Sequence, residues 1–540
     1  MPYGAGGIII RVEADIRRGI PGFDITGLAE GAVRESRERV RAAFRNSGFI
    51  FPADRVLINL APAGLRKDGA ALDLPIAISV MTAAGLAPAA DNILVMGELE
   101  LSGRVRPVRG VLAAISSGLA EGITEVIVPV ENEREAAILA GVRFTAAGSL
   151  REAVHALFIR QENGALPVNL ESSIGHGFID FPPAPAAAAS AGADGDFADV
   201  RGQANYKRAL EIAAAGGHNT LVFGPPGAGK TMLARRMTSV MAPLTGDEAV
   251  EVTRLYSLAG PQNETGFIDH LITSPPFRAP HHSASAEGIL GGGRCPRPGE
   301  ISLAHFGVLF LDEAPEFKKN VLQALREPLE DRVISIVRAE GPLRLPAEFQ
   351  LLMAANTCPC GRLGMMNAGE DILGGPDVET AFIGAAGCLC SPEEIHRYWR
   401  KFTGALLDRI EIRVAVLPPK ISEMGVNHGS GEESSAVIAG RVLAAVEIQR
   451  QRFKGLGIRR NALLPAGKID VLCPMNDRAR NAFQKAIIRL GLSGRAYHGI
   501  LRLARTIADL EAKETIETEH ILEAVHHRRF GDDPWDILSL

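Results

Sequence analysis

The sequence predicts an α/β protein of several domains whose last part is entirely helical. The chain has 540 residues, enough for about three or four units at roughly 150 residues each. Short runs rich in β-branched residues alternate with amphipathic helical segments up to residue 424, a pattern typical of α/β domains. From residue 436 onwards only helical patterns follow.

The N-terminal domain is predicted to cover residues 1–160. Its predicted strands and helices, in chain order, are Ile8–Val12, Ala32–Asn46, Val56–Leu60, Glu125–Val130 and Glu131–Ala140. Residues 161–196 include the stretch FPPAPAAAASAGADGD, which lacks apolar periodicity and is interpreted as an interdomain linker. A surface loop within one domain is the alternative interpretation.

The rest of the chain divides into two more predicted domains. Strands, glycine loops and helices alternate over residues 197–424, which predicts a second α/β domain. After the polar stretch GVNHGSGEESS, residues 436–540 are predicted to form a helical domain. Helical periodicity is clearest at Ala436–Gln449, Asp477–Leu490 and Ala496–Glu511.

Composition and charge exclude several classes of protein. The formal net charge of −5 excludes a general basic field, so any contact with nucleic acid would need a local patch. Six cysteines in so long a chain do not make a disulfide scaffold. Neither a signal peptide nor an apolar stretch of about 20 residues is apparent. We therefore expect a cytoplasmic protein without a membrane partner.

A glycine-rich loop is the clearest chemical motif. It lies between a predicted buried strand, Asn219–Phe223, and a helix predicted to begin at Met232. The loop fits G-x-x-x-x-G-K-[ST] and consists of Gly224, Pro225, Pro226, Gly227, Ala228, Gly229, Lys230 and Thr231. In this pattern the backbone N–H groups and the lysine bind phosphate oxygens, and the hydroxyl ligates Mg²⁺. The sequence therefore predicts that this loop, together with Met232, binds ATP and Mg²⁺.

Two further predicted strands end in polar residues suited to hydrolysis. The apolar strand Gly307–Leu311 is followed by Asp312, which would hold Mg²⁺, and by Glu313, which would act as general base on water. The strand Glu348–Ala355 ends at Asn356, which could orient that water against the γ-phosphate. A turn-forming role is the alternative for Asn356.

Two arginines are candidates for contact with the γ-phosphate. Arg409 precedes a predicted strand, Ile410–Leu417, and from the domain edge it could reach the nucleotide of a neighbouring subunit. Arg495 opens the predicted helix Ala496–Glu511 and could reach the phosphates from the helical domain. Structural ion pairs are the alternative role for both.

Four cysteines form two closely spaced pairs. Cys358 and Cys360 make one C-x-C pair, and Cys388 and Cys390 make the other. Four thiolates suit a tetrahedral Zn²⁺ site, although this spacing is tighter than the usual C-x₂-C. A set of reduced thiols or a redox pair is the alternative. The pair His281–His282 is interpreted as part of a structural loop rather than as a metal site.

Long motifs in this order resemble the magnesium-chelatase-like AAA+ ATPases of the ComM/YifB type. They are GPPGAGKTMLARR, GEISLAHFGVLFLDEAPEF, AANTCPCG, LLDRIEIRV and GRAYHGILRLARTIADLE, together with ITGLAEGAVRESRERVRAAFRNSGF near the N-terminus. The resemblance covers nearly the whole chain. One departure is Thr357, where the family pattern usually has proline.

The resemblance implies a fold, an assembly and an activity. It implies a Lon-protease-like N-terminal domain, a P-loop domain with a parallel sheet, and a helical lid. It also implies a hexameric ring, in which Asn356 is the sensor 1 residue, Arg409 the finger acting on the neighbour and Arg495 the sensor 2 residue. The competence-associated member of the family is a DNA helicase that promotes branch migration. Single-stranded or branched DNA is therefore the expected partner.

The predicted hairpin before the sensor strand is the candidate DNA contact. Its strands, Val333–Val337 and Leu343–Leu345, carry Arg332, Arg338 and Arg344. In the related ring ATPases a hairpin at this place points into the central pore, where arginines could track phosphates without sequence preference. A solvated basic hairpin is the alternative.

Two other functions are alternatives to a motor that acts on DNA. A Lon-type peptidase needs a Ser–Lys dyad, but Ala71 stands where the serine would be and Lys67 is the only lysine in residues 1–160. Peptidase chemistry is therefore not expected. The ATPase subunit of a magnesium chelatase, acting on a protein partner, is the second candidate. The N-terminal domain argues against it.

Overall fold

The architecture is described from a computed structural model. The structure describes residues 1–29, 31–67, 69–167, 195–260, 268, 270–293, 296–338, 341–363, 388–417 and 432–528. We refer to residues 1–167 as the N-terminal region, to residues 195–417 as the P-loop region and to residues 432–528 as the C-terminal region. Most of the predicted linker and part of the stretch GVNHGSGEESS lie outside the described residues.

The N-terminal region contains two small sheets. The first has the strand order Arg11–Arg17, Arg55–Ala61, Gly22–Thr26, with the first pair antiparallel and the second parallel. The second sheet is parallel, in the order Arg143–Ala147, Glu125–Pro129, Ile93–Val95. Arg11–Arg17 and Ile93–Val95 are therefore edge strands among the described residues.

Helices and short hairpins complete this region. The helices are Gly31–Asn46, Asp73–Ala83, Val111–Ala120, Glu133–Ala136 and Leu150–Asn163. The short strand pairs are Pro2–Tyr3 with Gly6–Gly7 and Glu98–Leu99 with Val105–Arg106. Three-residue 3₁₀ turns cover Ala70–Leu72 and Val130–Asn132.

Two predicted elements of this region were wrong in extent. The strand predicted at Ile8–Val12 begins at Arg11 and continues through charged residues to Arg17. Its residues alternate between exposed and half-buried because one face meets solvent, so a search for a continuous apolar run misplaced it. The helix predicted at Glu131–Ala140 is a single turn, Glu133–Ala136, after a 3₁₀ turn.

A five-stranded parallel sheet forms the centre of the P-loop region. Its strand order is Phe277–Arg278, Val308–Leu311, Gln350–Ala355, Thr220–Phe223, Ile412–Ala415. Both faces of the sheet are covered, which is why the inner strands are buried along their whole length and mostly apolar. Because every strand runs in the same direction, all carboxyl ends meet at one edge of the sheet, which positions the loops described below.

Short helices and two hairpins surround this sheet. The helices are Ala204–Gly216, Lys230–Arg235, Gly246–Ala259, Ala286–Leu290, Glu300–Leu303, Lys319–Ala324, Arg326–Asp331, Pro392–Trp399 and Gly404–Leu407. The antiparallel pairs are Gly291–Gly292 with Arg297–Pro298 and Val333–Arg338 with Gly341–Pro346. The 3₁₀ turns are Phe197–Asp199, Met237–Val240 and Ala314–Glu316.

The described part of the C-terminal region is helical, as predicted. Its α-helices are Ser435–Arg452, Ala466–Leu472, Asp477–Leu490, Gly494–Leu510 and Thr518–Arg528, and a 3₁₀ turn covers Asn461–Leu463. Ile500, Leu503 and Val442 share one buried cluster with Val222 and Phe310 of the parallel sheet. The helices therefore pack on one face of the P-loop region; their role as a lid stays a prediction.

Helix length and composition also bear on membrane insertion. Among the described residues, none of the helices combines the length and the apolar character that crossing a bilayer requires.

Candidate active site

The glycine-rich loop lies at the carboxyl edge of the parallel sheet. It joins strand Thr220–Phe223 to helix Lys230–Arg235. Gly227 and Gly229 have φ angles of 78° and 85°, in the left-handed region that favours glycine. At Gly224 a Cβ atom would collide with the carbonyl oxygen of the residue after strand Ile412–Ala415. The three glycines of the motif are therefore required by backbone geometry.

Lys230 is buried inside this loop. Its Nζ donates hydrogen bonds to the carbonyl oxygens of Gly224 at 2.7 Å and Pro225 at 2.8 Å, and to Oδ1 of Asn356 at 3.1 Å. Burial lowers the pKa of Lys230 to about 8, against the opposing effect of nearby carboxylates. The ammonium is thus held where phosphate oxygens bound in the loop would meet it.

Thr231 and Asp312 face each other across two neighbouring loops. The Thr231 hydroxyl donates to Oδ2 of Asp312 at 2.8 Å. A hydroxyl and a carboxylate side by side match the oxygen ligands that Mg²⁺ uses in nucleotide sites. The residues present therefore fit the predicted Mg²⁺ site.

Glu313 adopts an unusual backbone conformation. Its φ is 48° and its ψ is 46°, in the left-handed region that a residue with a side chain seldom adopts. The N–H of Glu313 donates to Oδ1 of Asp312 at 3.0 Å, and the Glu313 side chain is exposed. Such a conformation typically costs about 1–3 kcal/mol and tends to occur at functional sites. Here it places the second carboxylate beside the first one, at the open side of the loop.

Asn356 ends strand Gln350–Ala355 and completes the group around Lys230. Its backbone N–H donates to the hydroxyl oxygen of Tyr398 at 3.3 Å. Burial raises the pKa of Tyr398, so this phenol stays protonated near neutral pH. The strand order explains the meeting of Asn356 and Lys230, because their two strands are neighbours in the sheet.

Two residues outside the predicted site support the loop. Gln203 donates through Nε2 to the carbonyl oxygens of Ala228 at 3.1 Å and Leu417 at 2.6 Å, which ties the loop to the end of the edge strand. The hydroxyl of Tyr206 donates to the carbonyl oxygen of Lys230 at 3.1 Å. Both residues begin or precede helix Ala204–Gly216, and no motif spacing announces them.

The two arginines that were predicted to contact the γ-phosphate lie together at the opposite end of the parallel sheet, where its strands begin. The guanidinium of Arg409 pairs with the carboxylate of Glu330 and donates to the carbonyl oxygen of Ala405. Arg495 Nη2 lies 3.0 Å from the other carboxylate oxygen of Glu330. The same two arginines lower the pKa of Glu330, the hydrogen bond from Arg409 having the largest effect. One carboxylate therefore holds both guanidinium groups.

This arginine site is far from the loop of its own chain. It lines a cavity of about 560 Å³ with Asn219, Glu348 and Glu411, which precede strands, whereas the glycine-rich loop follows one. Strands of four to six residues separate the two edges by roughly 13–20 Å at about 3.3 Å per residue. The structure thus does not bring Arg495 to the phosphate loop of the same chain.

The Arg409 segment is fixed in place by buried polar groups. Asn219 donates through Nδ2 to the carbonyl oxygen of Arg409 at 2.9 Å. Arg413, almost fully buried, donates to the carbonyl oxygen of Leu407 at 2.9 Å, and Arg528 donates to that of Ile410. The side chain of Arg409 is only 10% exposed, whereas that of Arg495 is 44% exposed.

The four predicted zinc ligands converge. All four Sγ atoms lie within 4.8 Å of one another. Cys358 Sγ is 3.4 Å from Cys360 Sγ and 3.6 Å from Cys388 Sγ, and Cys390 completes the group. Four sulfur atoms so close together are the donor set of a structural Zn²⁺ site. Most of the segment between the two pairs lies outside the described residues.

The basic hairpin forms as predicted, but its arginines differ in position. Strands Val333–Arg338 and Gly341–Pro346 pair in register around residues 339–340. Arg344 is exposed and lies opposite Ser335. Arg332 stands at the hairpin base with a φ of 57° and lines the cavity of Glu330 instead. Of Arg338 the structure describes only the backbone, which pairs with Gly341.

The N-terminal region holds no Lon-type dyad in its described residues. Lys67 is buried, and its Nζ donates to the carbonyl oxygens of Gly27, at 2.8 Å, and Pro62. It is thus engaged by backbone rather than by a nucleophile. The residue at the expected serine position is Ala71.

Comparison with known sequence families gives three matches. The profile "Magnesium chelatase, subunit ChlI" matches residues 196–372 and 379–424. "Subunit ChlI of Mg-chelatase" matches residues 12–132, and "Magnesium chelatase, subunit ChlI C-terminal" matches residues 432–528. The three profiles follow one another along the chain in the order of its three regions.

Several curated proteins are similar over nearly their whole length. The competence protein ComM of Haemophilus influenzae is 39% identical over 525 residues, which is 96% of this chain and 94% of that protein. The YifB protein of Escherichia coli is 39% identical over 524 residues, with the same coverage. A Lon protease of Salinispora arenicola is 28% identical over 137 residues, or 24% of this chain and 18% of the protease.

Proposed function

Because the chain belongs to the ComM/YifB family of magnesium-chelatase-like proteins, we propose that it is an ATP-hydrolysing ring motor that acts on DNA. The observation that supports this proposal is the grouping of the candidate phosphate-site residues at the two opposite ends of the parallel sheet. The loop lysine, two carboxylates and the asparagine lie at one edge, and two arginines lie at the other.

The carboxyl edge supplies the groups that bind and hydrolyse ATP. Backbone N–H groups of the loop and Lys230 bind the phosphates, while Asn356 lies close enough to orient a water molecule. Mg²⁺, when held by Thr231 and Asp312, neutralises phosphate charge. Glu313, beside Asp312 and open to solvent, takes the proton of the attacking water.

The end of the sheet at which the strands begin supplies two arginines that require a neighbouring subunit. Arg409 and Arg495 cannot serve the nucleotide of their own chain from their present position, so they act on the nucleotide of the next subunit. Such head-to-tail contacts close into rings. The hexamer and the placement of both arginines at the shared interface belong to the proposal.

DNA as the working partner rests on the family membership and on the hairpin. Arg344, exposed in the middle of strand Gly341–Pro346, is suited to phosphate contact, and the relative from H. influenzae carries the name of a competence protein. A second candidate is an ATPase that acts on a protein partner. The descriptions of the three matched profiles favour it, because each names a magnesium chelatase subunit.

Stimulation of ATP turnover by DNA separates these two functions. We expect forked or four-way DNA to raise turnover by the purified chain. In the double variant Arg338→Ala/Arg344→Ala, the affinity for single strands should fall about tenfold, and the slope of affinity against salt should decrease by roughly 2, one for each lost phosphate contact. Turnover and binding at several salt concentrations provide the measurement.

The matched control replaces an exposed arginine elsewhere. Arg478→Ala, on helix Asp477–Leu490, should leave both the affinity and its salt dependence unchanged. Turnover that no DNA structure affects would favour the protein-directed ATPase. An unchanged salt slope in the double variant would remove the hairpin from the DNA path.

The cysteine group makes a separate prediction about composition. Purified protein should carry about one zinc ion per chain, because one set of four thiolates fills one tetrahedral site. Cys358→Ser or Cys388→Ser should abolish the bound zinc, while the buried Cys473, remote from the group, serves as control with Cys473→Ser. Metal analysis of protein prepared without chelator measures this, and zinc-free wild-type protein would contradict the proposed site.

A further inference from the structure

A deep cleft in the N-terminal region has a volume of about 1290 Å³. Its floor is the face of helix Asp73–Ala83 that carries Pro75, Ile78, Ser79 and Thr82. Its walls are residues 9–14 and residues 90–96, which include parts of both edge strands. Small-molecule sites typically measure about 300–1,000 Å³, so this edge-strand cleft has room for a larger occupant.

The wall formed by strand Ile93–Val95 offers unpaired backbone groups. This strand pairs with Glu125–Pro129 on one side only. Outside that pairing, Ile93 and Val95 take part in no hydrogen bond with the described residues. On the other wall, the Ser79 hydroxyl already donates to the carbonyl oxygen of Val12 at 3.0 Å. Because no such side-chain contact to the edge of Ile93–Val95 occurs among the described residues, we take this strand as the one that accepts an added strand.

Two arginines stand at one end of the cleft, where it meets the P-loop region. Arg109 packs against Gly260, where an added Cβ would lie 2.6 Å from its Cδ and Nε atoms. Arg297 is close enough that its charge lowers the pKa of Arg109, after the larger effect of burial. Neither guanidinium has an ion-pair partner among the described residues, and both are exposed. Two neighbouring cations without a counter-charge are complementary to an anionic group.

The arginine end lies at the carboxyl end of the free strand. Met96 follows Ile93–Val95 and packs in the same apolar cluster as Val108, which precedes Arg109. For this reason we place the end of an added strand on the side of Arg109 and Arg297, which both line the cleft. An extended occupant with a carboxylate at one end would pair with the free strand edge and with both arginine side chains.

The remaining lining decides between classes of occupant. None of the described lining residues is aromatic, so bases would find no surface to stack on. Glu13, Asp91, Glu98 and Glu121 line the cleft together with Arg11 and Arg66, so its charge is mixed and does not match an occupant that is anionic along its whole length. Aliphatic side chains such as Ile78 and Leu72 instead suit the side chains of a peptide. Neither hydroxyl on the floor has a base beside it, since Ser79 and Thr82 donate to backbone carbonyls.

We propose that the edge-strand cleft binds an extended polypeptide segment with a C-terminal acidic group, without cleaving it. The segment adds as a strand to Ile93–Val95, and its carboxylates pair with Arg109 and Arg297. Main-chain hydrogen bonds then give affinity and the arginines give direction. This proposal goes beyond the ATPase and does not depend on its partner being DNA.

Fluorescence anisotropy with a defined peptide pool tests the site. The probe is a labelled pool of octapeptides with six randomised aliphatic positions and two C-terminal aspartates, added to the full chain. We expect saturable binding that weakens about tenfold in each of Arg109→Gln and Arg297→Gln. Arg143→Gln, at the far edge of the same sheet, is the matched control and should bind as the wild type does.

Three further probes separate the parts of the proposal. The same pool, N-methylated at alternate amides, should bind at least tenfold more weakly, because it lacks donors for the edge strand. Mass spectrometry should recover the peptides intact. An excess of oligothymidylate should not displace them.

Each opposite result overturns a stated part. No binding by the wild type, or equal binding by the arginine variants with unchanged thermal midpoints, rejects the site. Undiminished binding of the methylated pool rejects strand addition, and cleaved peptide rejects passive binding. Arginine-dependent displacement by oligothymidylate would reassign the cleft to nucleic acid. All these measurements are made without ATP, so their failure leaves the proposed ATPase untouched.

Discussion

Glu313→Gln should bind ATP as the wild type does and turn it over about 10²–10⁴ times more slowly, the usual contribution of a general base. The amide keeps the size of the side chain but cannot accept the proton of water. Lys230, Thr231 and Asp312 remain in place, so the affinity for nucleotide should be preserved. Phosphate release measures turnover, and calorimetry measures binding.

A nearby carboxylate supplies the matched control for this variant. Glu316 is exposed at the end of the 3₁₀ turn Ala314–Glu316, three residues beyond Glu313. Glu316→Gln removes the same charge from the same surface and should leave turnover unchanged. Equal turnover in Glu313→Gln and the wild type would show that another group activates the water.

Arg409→Ala should reduce turnover by about 10³–10⁵-fold in the assembled protein, the effect of removing an arginine finger. Binding of ATP to the loop of the same chain should persist, because Arg409 lies at the other edge of the sheet. Arg400→Ala, which removes an exposed arginine nine positions earlier, is the control for loss of charge. Full turnover in Arg409→Ala would assign this arginine to a structural ion pair with Glu330.

Mixing the two inactive variants tests whether the site is shared. A Glu313→Gln subunit keeps Arg409, and an Arg409→Ala subunit keeps Glu313. Where they adjoin in the right order, the proposed interface is complete, so part of the turnover should return. If both residues served the nucleotide of one chain, no mixture would recover. Turnover of freely exchanging mixtures against their ratio measures the difference.

The phosphate loop and the carboxylates were predictable because they depend on local sequence. A loop between a buried strand and a helix fixes its own geometry, and parallel strands bring their carboxyl ends to one edge whatever the strand order. The contact of Lys230 with Asn356 depends in addition on the strand order, because Thr220–Phe223 and Gln350–Ala355 are neighbours in the sheet. The ComM/YifB family assignment was confirmed by similarity over 96% of the chain.

Other features depend on contacts between distant segments and could not be read from local patterns. Glu330 carries no motif, and it acquires meaning only when the fold brings Arg409 and Arg495 to it. Arg332 was assigned to the hairpin because it directly precedes the first strand. A left-handed φ at this residue turns the chain, and Arg332 lines the cavity of Glu330 instead. The strand Arg11–Arg17 was misplaced because the prediction followed the apolar run Ile8–Val12, whereas the strand itself alternates between exposed and half-buried residues.

The carboxylate of Glu330 gives the proposed assembly a thermodynamic linkage. In the single chain this carboxylate pairs with both Arg409 and Arg495. The γ-phosphate of the neighbouring subunit's nucleotide must therefore displace Glu330 before the two arginines can bind it. ATP offers that anion at the interface and ADP does not. Because coupling free energies are reciprocal, the factor by which ATP raises the affinity between subunits must equal the factor by which subunit association raises the affinity for ATP. Nucleotide exchange and subunit exchange would then report on one coupled equilibrium, in which Glu330 competes with the γ-phosphate for the two arginines.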